Sequence, residues 1–355
     1  MAKILVIFTY EYPYNPPTEC FLDVELKYIK ICFDKIIIIP TKRNINKTNS
    51  YISKIDFDTL EIKRKHKIFE FLLGFIANTF VNKNFWIDIM LTININANIK
   101  NIYEILKGYV STKALFYQIR FKLCGYLNND DEVLLYSYWF NNNAIVAVYI
   151  KEYLINRGFL NVKTVARAHG DGDLYLDYRT HISLINKYID KVFVISKMGA
   201  SYLINSKISS QIVEINRLGV EIKPLNNFKV ASTYIIVSCS VLNDNKRVNR
   251  IISSLSLLSN EKITWVHFGD GVLMRQLQEL CKNKLPANIK WELRGSIPNE
   301  QIIKFYHDNQ PSLFINVSSI EGIPVSIMEA MSCGIPVVAT DVGATNEIVE
   351  NNING

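Results

Sequence analysis

Residues 321–329 combine two glutamates, a glycine and a proline in a pattern suited to binding a phosphorylated sugar. Glu321 and Gly322 follow an apolar run that predicts a strand, and Pro324 suits a first helical turn because it lacks an N–H donor. The predicted helix, 324–332, would present free N–H groups and a positive dipole end, which favour a phosphate. Each carboxylate, Glu321 before the helix and Glu329 in its second turn, accepts hydrogen bonds from hydroxyl groups. A nucleotide sugar, with a polyol on each side of its diphosphate, fits this pattern.

The context of these residues, EGIPVSIMEAMSCGIPVVATDVG (321–343), closely resembles the donor-binding segment of the retaining glycosyltransferases of family 4. Supporting segments are YPYNPPTECFLDVEL, ARAHGDGDLY, VFVISKMGASYL and RLGV. The resemblance covers nearly the whole chain and points to bacterial enzymes of capsule, exopolysaccharide and lipopolysaccharide assembly. It implies an α/β chain of the GT-B fold, in which two Rossmann-like, doubly wound parallel-sheet domains face a cleft.

The same resemblance implies which residues bind the donor. Glu329 would bind the ribose hydroxyl groups, and Glu321 would contact the transferred sugar at the catalytic centre. Arg294 and Gly295, at a strand end, would meet the base through their backbone. The backbone of four successive residues would hold the sugar and the diphosphate: Gly322, Ile323, Pro324 and Val325.

Two more residues are implied in catalysis. His169 matches the active-site histidine of the family, which faces the donor sugar. Lys246, in VSCSVLNDNKRV (237–248), resembles the lysine of the family's R-x4-K segment, and its ammonium would stabilise the departing diphosphate. The arginine of that segment would fall at Val241, so one charge partner is missing or is replaced by Arg247 or Arg250.

The loop after the first strand is a third implied site. Tyr14 and Glu19 lie where the family meets its acceptor or a phosphate, although the loop reads NPPTECF and lacks the family's usual glycine pair. By contrast, Gly269-Asp270-Gly271 is expected to form a turn after a strand. The resemblance implies no metal and no cofactor besides the nucleotide sugar.

The elements that position these residues follow a β-α-β order. Strands are predicted at 3–9, 35–39, 133–138, 162–168 and 191–196, with helices near 19–32, 143–157 and 197–205. A second set of strands is predicted at 234–240, 263–269, 289–295, 312–318 and 336–340. We therefore expect an N-terminal Rossmann-like acceptor domain (1–220), a polar linker (221–232) and a C-terminal donor domain (233–355).

Composition narrows the class of protein. The chain has 355 residues, 49% of them hydrophobic and 21% charged, which excludes a disordered chain, a coiled coil and a disulfide-stapled miniprotein. Six scattered cysteines, without zinc-ligand spacing and without a signal peptide before them, predict a reduced, cytoplasmic setting. The net charge of +7 permits anionic partners and selects none of them.

A basic stretch that leads into an apolar one, within residues 42–96, suggests contact with the inner face of an anionic membrane. A solvated loop followed by a core helix explains it equally simply. The stretch has no aromatic interleaving and belongs to no known nucleic-acid-binding module, so nucleic acid is not expected as a partner.

The expected function is therefore hexosyl transfer, with retention of configuration, from a nucleoside-diphosphate sugar to a hydroxyl group of a glycan, free or lipid-linked. The chain stops at NNING, before the terminal helices usual in the family, so the donor domain is expected to be incomplete. Two alternatives remain open: another GT-B enzyme, such as a sugar-nucleotide epimerase or a phosphorylase, and a nucleotide-sugar-binding protein without catalytic activity. The base, the sugar, the acceptor and the oligomeric state are not predicted.

Overall fold

The computed structural model describes residues 1–14, 19, 21–42, 56–62, 86–87, 90, 99–170, 181–222 and 233–355. Within these ranges the chain divides into two compact units, one of residues 1–195 and 199–216, the other of residues 196–198 and 217–355. Most of the expected linker and most of the 42–96 stretch lie outside the described residues, as does 171–175 of the ARAHGDGDLY segment.

The first unit contains a seven-stranded parallel sheet in the order β3-β2-β1-β4-β5-β6-β7. Five strands confirm predictions, while β3 and β7 at the two edges were not predicted because they are only two and three residues long. The strand predicted at 35–39 extends one residue further, to Pro40, which pairs with Thr9. β3 pairs only with Ile37 and Ile38, so no neighbour needs the N–H that Pro40 lacks. The strands are β1 (Lys3–Thr9), β2 (Lys35–Pro40), β3 (Asp58–Thr59), β4 (Glu132–Ser137), β5 (Asn161–Ala168), β6 (Lys191–Val194) and β7 (Val213–Ile215).

Helices cover this sheet. α3 (Asn142–Ile155) is mostly apolar and largely buried, because it packs between the sheet and α2 (Ile99–Cys124). The first helix is shorter than expected: it ends at Ile29 and continues as a 3-10 turn over Lys30–Cys32. The described helices are α1 (Leu22–Ile29), α2 (Ile99–Cys124), α3 (Asn142–Ile155), α4 (Ile182–Tyr188) and α5 (Lys197–Asn205), the last crossing the boundary between the units.

The second unit contains a five-stranded parallel sheet in the order β10-β9-β8-β11-β12, all five strands as predicted. Apolar clusters lie on both faces, with Trp265 fully buried in one and Phe268 in the other. The strands are β8 (Tyr234–Cys239), β9 (Ile263–Phe268), β10 (Ile289–Leu293), β11 (Leu313–Asn316) and β12 (Val337–Ala339). The helices are α6 (Asn249–Leu255), α7 (Met274–Lys284), α8 (Asn299–Asn309) and α9 (Val325–Ser332).

The strand order of the second unit identifies its binding edge. From β8 the chain builds outward to β9 and β10 on one side, and then returns to build β11 and β12 on the other. Loops that leave the carboxyl ends of β8 and β11 therefore diverge, and a crevice opens between them. Among the described residues, no helix is both long and apolar enough to cross a bilayer.

Candidate functional site

The loops after β8 and β11 bring Lys246 and Glu321 together. Lys246 ends a 3-10 turn, and its Nζ lies 2.6 Å from Glu321 Oε1. Their side chains are 22% and 9% exposed. Asn316, the last residue of β11, donates from Nδ2 to the same carboxylate oxygen at 3.2 Å. Two residues that are 75 positions apart in sequence thus form a half-buried ion pair at the crevice.

Glu329 lies nearby, in the second turn of α9. Its Oε1 accepts a hydrogen bond of 2.7 Å from Asn299 Nδ2, and burial raises the pKa of the carboxyl group although this hydrogen bond opposes the rise. Cys239, at the end of β8, lies near both charges: burial and, to a smaller extent, the Glu329 charge raise its pKa to about 12, while the Lys246 charge opposes the rise. Three of the predicted residues are therefore close to one strand end.

Asn245 and Arg247, on either side of Lys246, hold the β11 loop in place. Asn245 Oδ1 accepts hydrogen bonds from Ser319 Oγ at 2.6 Å and from the Ile320 N–H at 3.1 Å. Arg247 donates from Nε to the Val317 carbonyl at 2.7 Å and from its guanidinium to the Ser318 carbonyl. These contacts fix the backbone that leads into Glu321.

The missing arginine is not replaced by Arg247. Its guanidinium is bound to two backbone carbonyls, and it adopts a left-handed conformation with φ 45°. Val241, where the family would carry the arginine, is 58% exposed and brings no charge. Lys246 is thus the cation that the β8 loop supplies beside Glu321.

Three glycines allow the loops to approach one another closely. A Cβ on Gly343, where φ is 58°, would lie 1.7 Å from the Glu321 carbonyl oxygen. Cβ atoms on Gly269 and Gly271 would lie 1.9 Å from the Ser240 carbonyl oxygen and 2.3 Å from that of Leu242. The turn expected at 269–271 lies further on, at 272–273, because Gly269 forms a β-bridge with Gly295 instead. Gly269 and Gly271 pack against the backbone of the β8 loop.

The helix that follows Glu321 starts one residue later than predicted. Pro324 is its N-cap, with an extended backbone, and α9 runs from Val325 to Ser332. Pro324 accepts from the N–H of Ile327, and no side chain caps this helix end in the part of the chain that the structure describes. The first backbone amides of α9 therefore point toward the Glu321 loop, as a phosphate site requires.

Arg294 and Gly295 follow β10 at the same sheet edge. The Arg294 N–H donates to the His267 carbonyl at 2.9 Å, and the Gly295 carbonyl accepts from Gly269 at 2.9 Å. The Arg294 side chain lies over the Phe305 ring, 4.5 Å from its centroid, and pairs with Glu292 at 2.8 Å. Its guanidinium thus rests on the protein's own surface.

A buried network that sequence analysis missed lies beneath the β8 loop. Trp265 Nε1 donates to Ser238 Oγ at 3.0 Å, Ser238 Oγ lies 2.8 Å from His267 Nδ1, and His267 Nε2 lies 3.1 Å from the Ser240 carbonyl. A carbonyl only accepts, so the proton sits on Nε2 and Nδ1 accepts from the serine. Burial lowers the pKa of His267 to about 4 and keeps the ring neutral. The network joins β8 to β9 and fixes the start of the Lys246 loop.

In the first unit, His169 follows β5. Its Nε2 donates to the Tyr138 carbonyl at 2.8 Å, and its ring packs against Tyr138 and Trp139 at centroid distances of 4.6 and 4.7 Å. Burial, with a smaller effect from the positive charge of Arg167, lowers the pKa of His169 to about 3. The imidazole is therefore neutral at physiological pH, with Nδ1 as its acceptor nitrogen.

Glu19 and Tyr14 lie in the same unit, in the loop after β1. Glu19 is fully buried, and its two carboxylate oxygens accept the N–H groups of Tyr10, Glu11 and Tyr12 and the indole N–H of Trp139. Tyr14 donates to Glu61 Oε1 at 3.0 Å, and burial raises its pKa to about 12. Four hydrogen bonds within the protein thus engage the Glu19 carboxylate, which makes it an organiser of its own loop.

Comparison with known proteins places this geometry in a class. The lipopolysaccharide outer core galactosyltransferase WaaB superposes with a TM-score of 0.67 at 15% identity, over 99% of this chain and 85% of that one. Anabaena Alr3699/HepE in complex with UDP-glucose gives a TM-score of 0.63 at 16% identity, over 100% and 85%. The chain is an α/β protein of the GT-B fold, as the resemblance implied.

The sequence of the second unit is similar to a known family. Residues 222–355 match the model of glycosyl transferases group 1. Amylovoran biosynthesis glycosyltransferase AmsK of Erwinia amylovora is 27% identical over 173 residues, 45% of this chain and 42% of that protein. Putative colanic acid biosynthesis glycosyltransferase WcaL of Escherichia coli (strain K12) is 26% identical over 175 residues, 47% and 43%. The matched part spans less than half the length of these relatives.

Proposed function

We propose that this protein transfers a hexosyl group, with retention of configuration and without a metal ion, from a nucleoside-diphosphate sugar to a hydroxyl group of a growing surface glycan. The observation that carries the proposal is the grouping of Lys246, Glu321 and Glu329 at the carboxyl ends of β8 and β11, inside the group 1 domain. The polysaccharide enzymes AmsK and WcaL support a capsular, exopolysaccharide or lipopolysaccharide product.

Each residue of the group has a distinct task in this proposal. Glu329 accepts hydrogen bonds from the ribose hydroxyl groups, and Glu321 from the hydroxyl groups of the transferred sugar. The backbone from Gly322 to Val325 holds the sugar and the diphosphate, and that of Arg294 and Gly295 meets the base. Lys246, now paired with Glu321, turns its ammonium toward the diphosphate as the sugar leaves.

In the proposed reaction, the acceptor oxygen attacks the anomeric carbon on the same face from which the diphosphate leaves. The bond from the anomeric carbon to the acceptor oxygen forms as its bond to the diphosphate oxygen breaks. The acceptor proton passes to a phosphate oxygen of the donor, so the products are the glycoside and the protonated nucleoside diphosphate. His169, neutral and held by Tyr138, accepts a hydrogen bond rather than a proton, because its pKa is about 3.

The setting is also part of the proposal. The five cysteines of the described ranges are free thiols, which supports a reduced, cytoplasmic location. Contact of residues 42–96 with the inner membrane face would bring the enzyme to a lipid-linked acceptor. Tyr14, in the loop after β1, is the residue that we propose to contact the acceptor.

Nucleotide binding tests the proposal first. We expect one of UDP, GDP, ADP and CDP to raise the melting temperature, with UDP tried first because the Anabaena structure holds UDP-glucose. A ligand at 100 times its Kd adds about 2.7 kcal/mol to stability. Glu329→Gln should abolish the shift. The control Glu279→Gln alters an exposed glutamate on α7 of the same unit and should retain it.

Product analysis then separates the enzyme classes. Incubation with the stabilising nucleotide's sugar, acceptor glycan and EDTA should give a glycoside of unchanged anomeric configuration, read from its proton NMR coupling. A sugar change without acceptor would indicate an epimerase, and glycan cleavage by phosphate would indicate a phosphorylase. Binding of the donor without any turnover would leave a nucleotide-sugar-binding protein, for which the neutral Val241 gives a reason.

A further inference from the structure

We infer that Glu19 is a positioning residue for His169, acting through Trp139. The inference deepens the proposed function, because it rests on a role for His169 in transfer. It differs from the acceptor contact implied by the resemblance, since it concerns the hydrogen bonds that the Glu19 carboxylate makes within this chain. The proposed effect of Glu19 is on the orientation of the His169 imidazole ring.

The Glu19 carboxylate is built into a set of four N–H donors. Oε1 accepts from the Tyr10 amide and, at 2.9 Å, from Trp139 Nε1. Oε2 accepts from the amides of Glu11 and Tyr12, each at 2.8 Å. Only an ionised carboxylate offers acceptors alone at both oxygens, and a glutamine would turn an NH₂ group toward N–H donors. The site therefore requires the charge as well as the shape of glutamate.

The hydrogen bond from the Trp139 indole to Glu19 links this set of contacts to His169. The Trp139 ring lies 4.7 Å from the His169 ring, tilted by 55°. Tyr138, the preceding residue, contributes both a second ring at 4.6 Å and the carbonyl that accepts the Nε2–H. Ser137 Oγ donates to the Trp139 carbonyl at 2.6 Å and holds the backbone of this short segment. Residues 137–139 thus hold the His169 ring in place, and the hydrogen bond to Glu19 fixes the orientation of the Trp139 indole.

The sheet explains why this contact forms at all. β1 pairs with β4, and β4 pairs with β5, all parallel. The loops that carry Glu19, Trp139 and His169 therefore leave adjacent strands at the same edge. Burying a carboxylate is costly unless hydrogen bonds replace its lost hydration, and here four N–H groups do so.

Trp139→Phe is the main test, because it keeps an aromatic ring and removes the indole N–H. The His169 imidazole nitrogens are observed by long-range proton–nitrogen NMR on histidine-labelled protein, and His169→Gln identifies the signal. The wild type should show the Nε2–H tautomer. In Trp139→Phe we expect the signal to move toward a mixture of tautomers, and kcat to fall about tenfold while the KM for the donor changes less than twofold.

Two further variants complete the design. Glu19→Gln should change the His169 signal in the same direction where it folds, as judged by circular dichroism. Trp291→Phe removes an indole from the second unit and should leave the His169 signal and kcat unchanged. Folded Trp139→Phe with wild-type His169 nitrogen shifts and wild-type kcat would overturn the inference. The NMR readout needs no substrate, so a wild type that transfers no sugar would defeat the proposed function without deciding the role of Glu19.

Discussion

Gly343→Ala adds a single methyl group, but we expect it to lower both the stability of the protein and its transfer rate. Gly343 has φ 58°, and a Cβ there would lie 1.7 Å from the Glu321 carbonyl oxygen. A normal contact between carbon and a carbonyl oxygen is about 3.3 Å. The backbone of Glu321 must therefore move by more than 1 Å, which would break its 2.6 Å contact with Lys246.

The magnitude has two sources. A left-handed conformation costs a residue with a Cβ about 1–2 kcal/mol, and overpacking of a tight contact costs about 1–3 kcal/mol more. We expect a lower free energy of unfolding by about 2–5 kcal/mol, and about a 10²-fold lower transfer rate, since a 1 Å misplacement has that effect. Urea denaturation followed by circular dichroism measures the first, and initial rates of glycoside formation measure the second.

Two glycines provide matched controls. Gly295 has φ 69° and open space around its Cβ position, so Gly295→Ala in the same unit isolates the conformational cost, about 1–2 kcal/mol. Gly158, with φ 92° and its nearest atom at 3.9 Å, lies in the first unit, and Gly158→Ala should keep the wild-type transfer rate. If Gly343→Ala unfolds at the same urea concentration as Gly295→Ala and transfers sugar normally, the reasoning about the loop contact is wrong.

Three other outcomes are expected. Lys246→Met should lower kcat about 10²–10³-fold by removing the charge that stabilises the leaving diphosphate, and an unchanged kcat would take Lys246 out of catalysis. His267 has a pKa of about 4 when folded against 6.5 ordinarily, so its neutral form stabilises the fold fully above pH 6.5, and about 3 kcal/mol is lost as the pH falls toward 4. The urea midpoint of His267→Gln should therefore fall less steeply between pH 7 and pH 4 than that of the wild type. An equally steep fall in the two proteins would contradict this. Arg247→Gly should be more stable than Arg247→Ala by about 1 kcal/mol, because φ is 45° there; denaturation curves in the opposite order would exclude strain at this residue.

Strand prediction succeeded where burial made the strands long and apolar. KILVIFT and KIIII predict buried strands, and both are interior strands of the first sheet. The failures have local causes. β3 and β7 are too short to carry a periodic signal. α2 was missed although Ile105, Tyr109 and Thr112 begin a buried stripe of helical period that continues to Leu123.

The sequence by itself determined the class of protein and the residues of its candidate donor site. Both came from the resemblance of residues 321–343 to a donor-binding segment, in which Glu321, the helix start and Glu329 are local in the chain, and a phosphate-binding helix end is a local structure.

Only the tertiary structure decided which partners each side chain has. It paired Lys246 with Glu321, engaged Arg247 with backbone carbonyls, and surrounded the Glu19 carboxylate with four N–H groups. These contacts join loops from strands that are adjacent in the sheet but distant in the chain. A hydrogen bond depends on positions in space to within a few tenths of an ångström, and a parallel sheet sets those positions only once all its strands are paired.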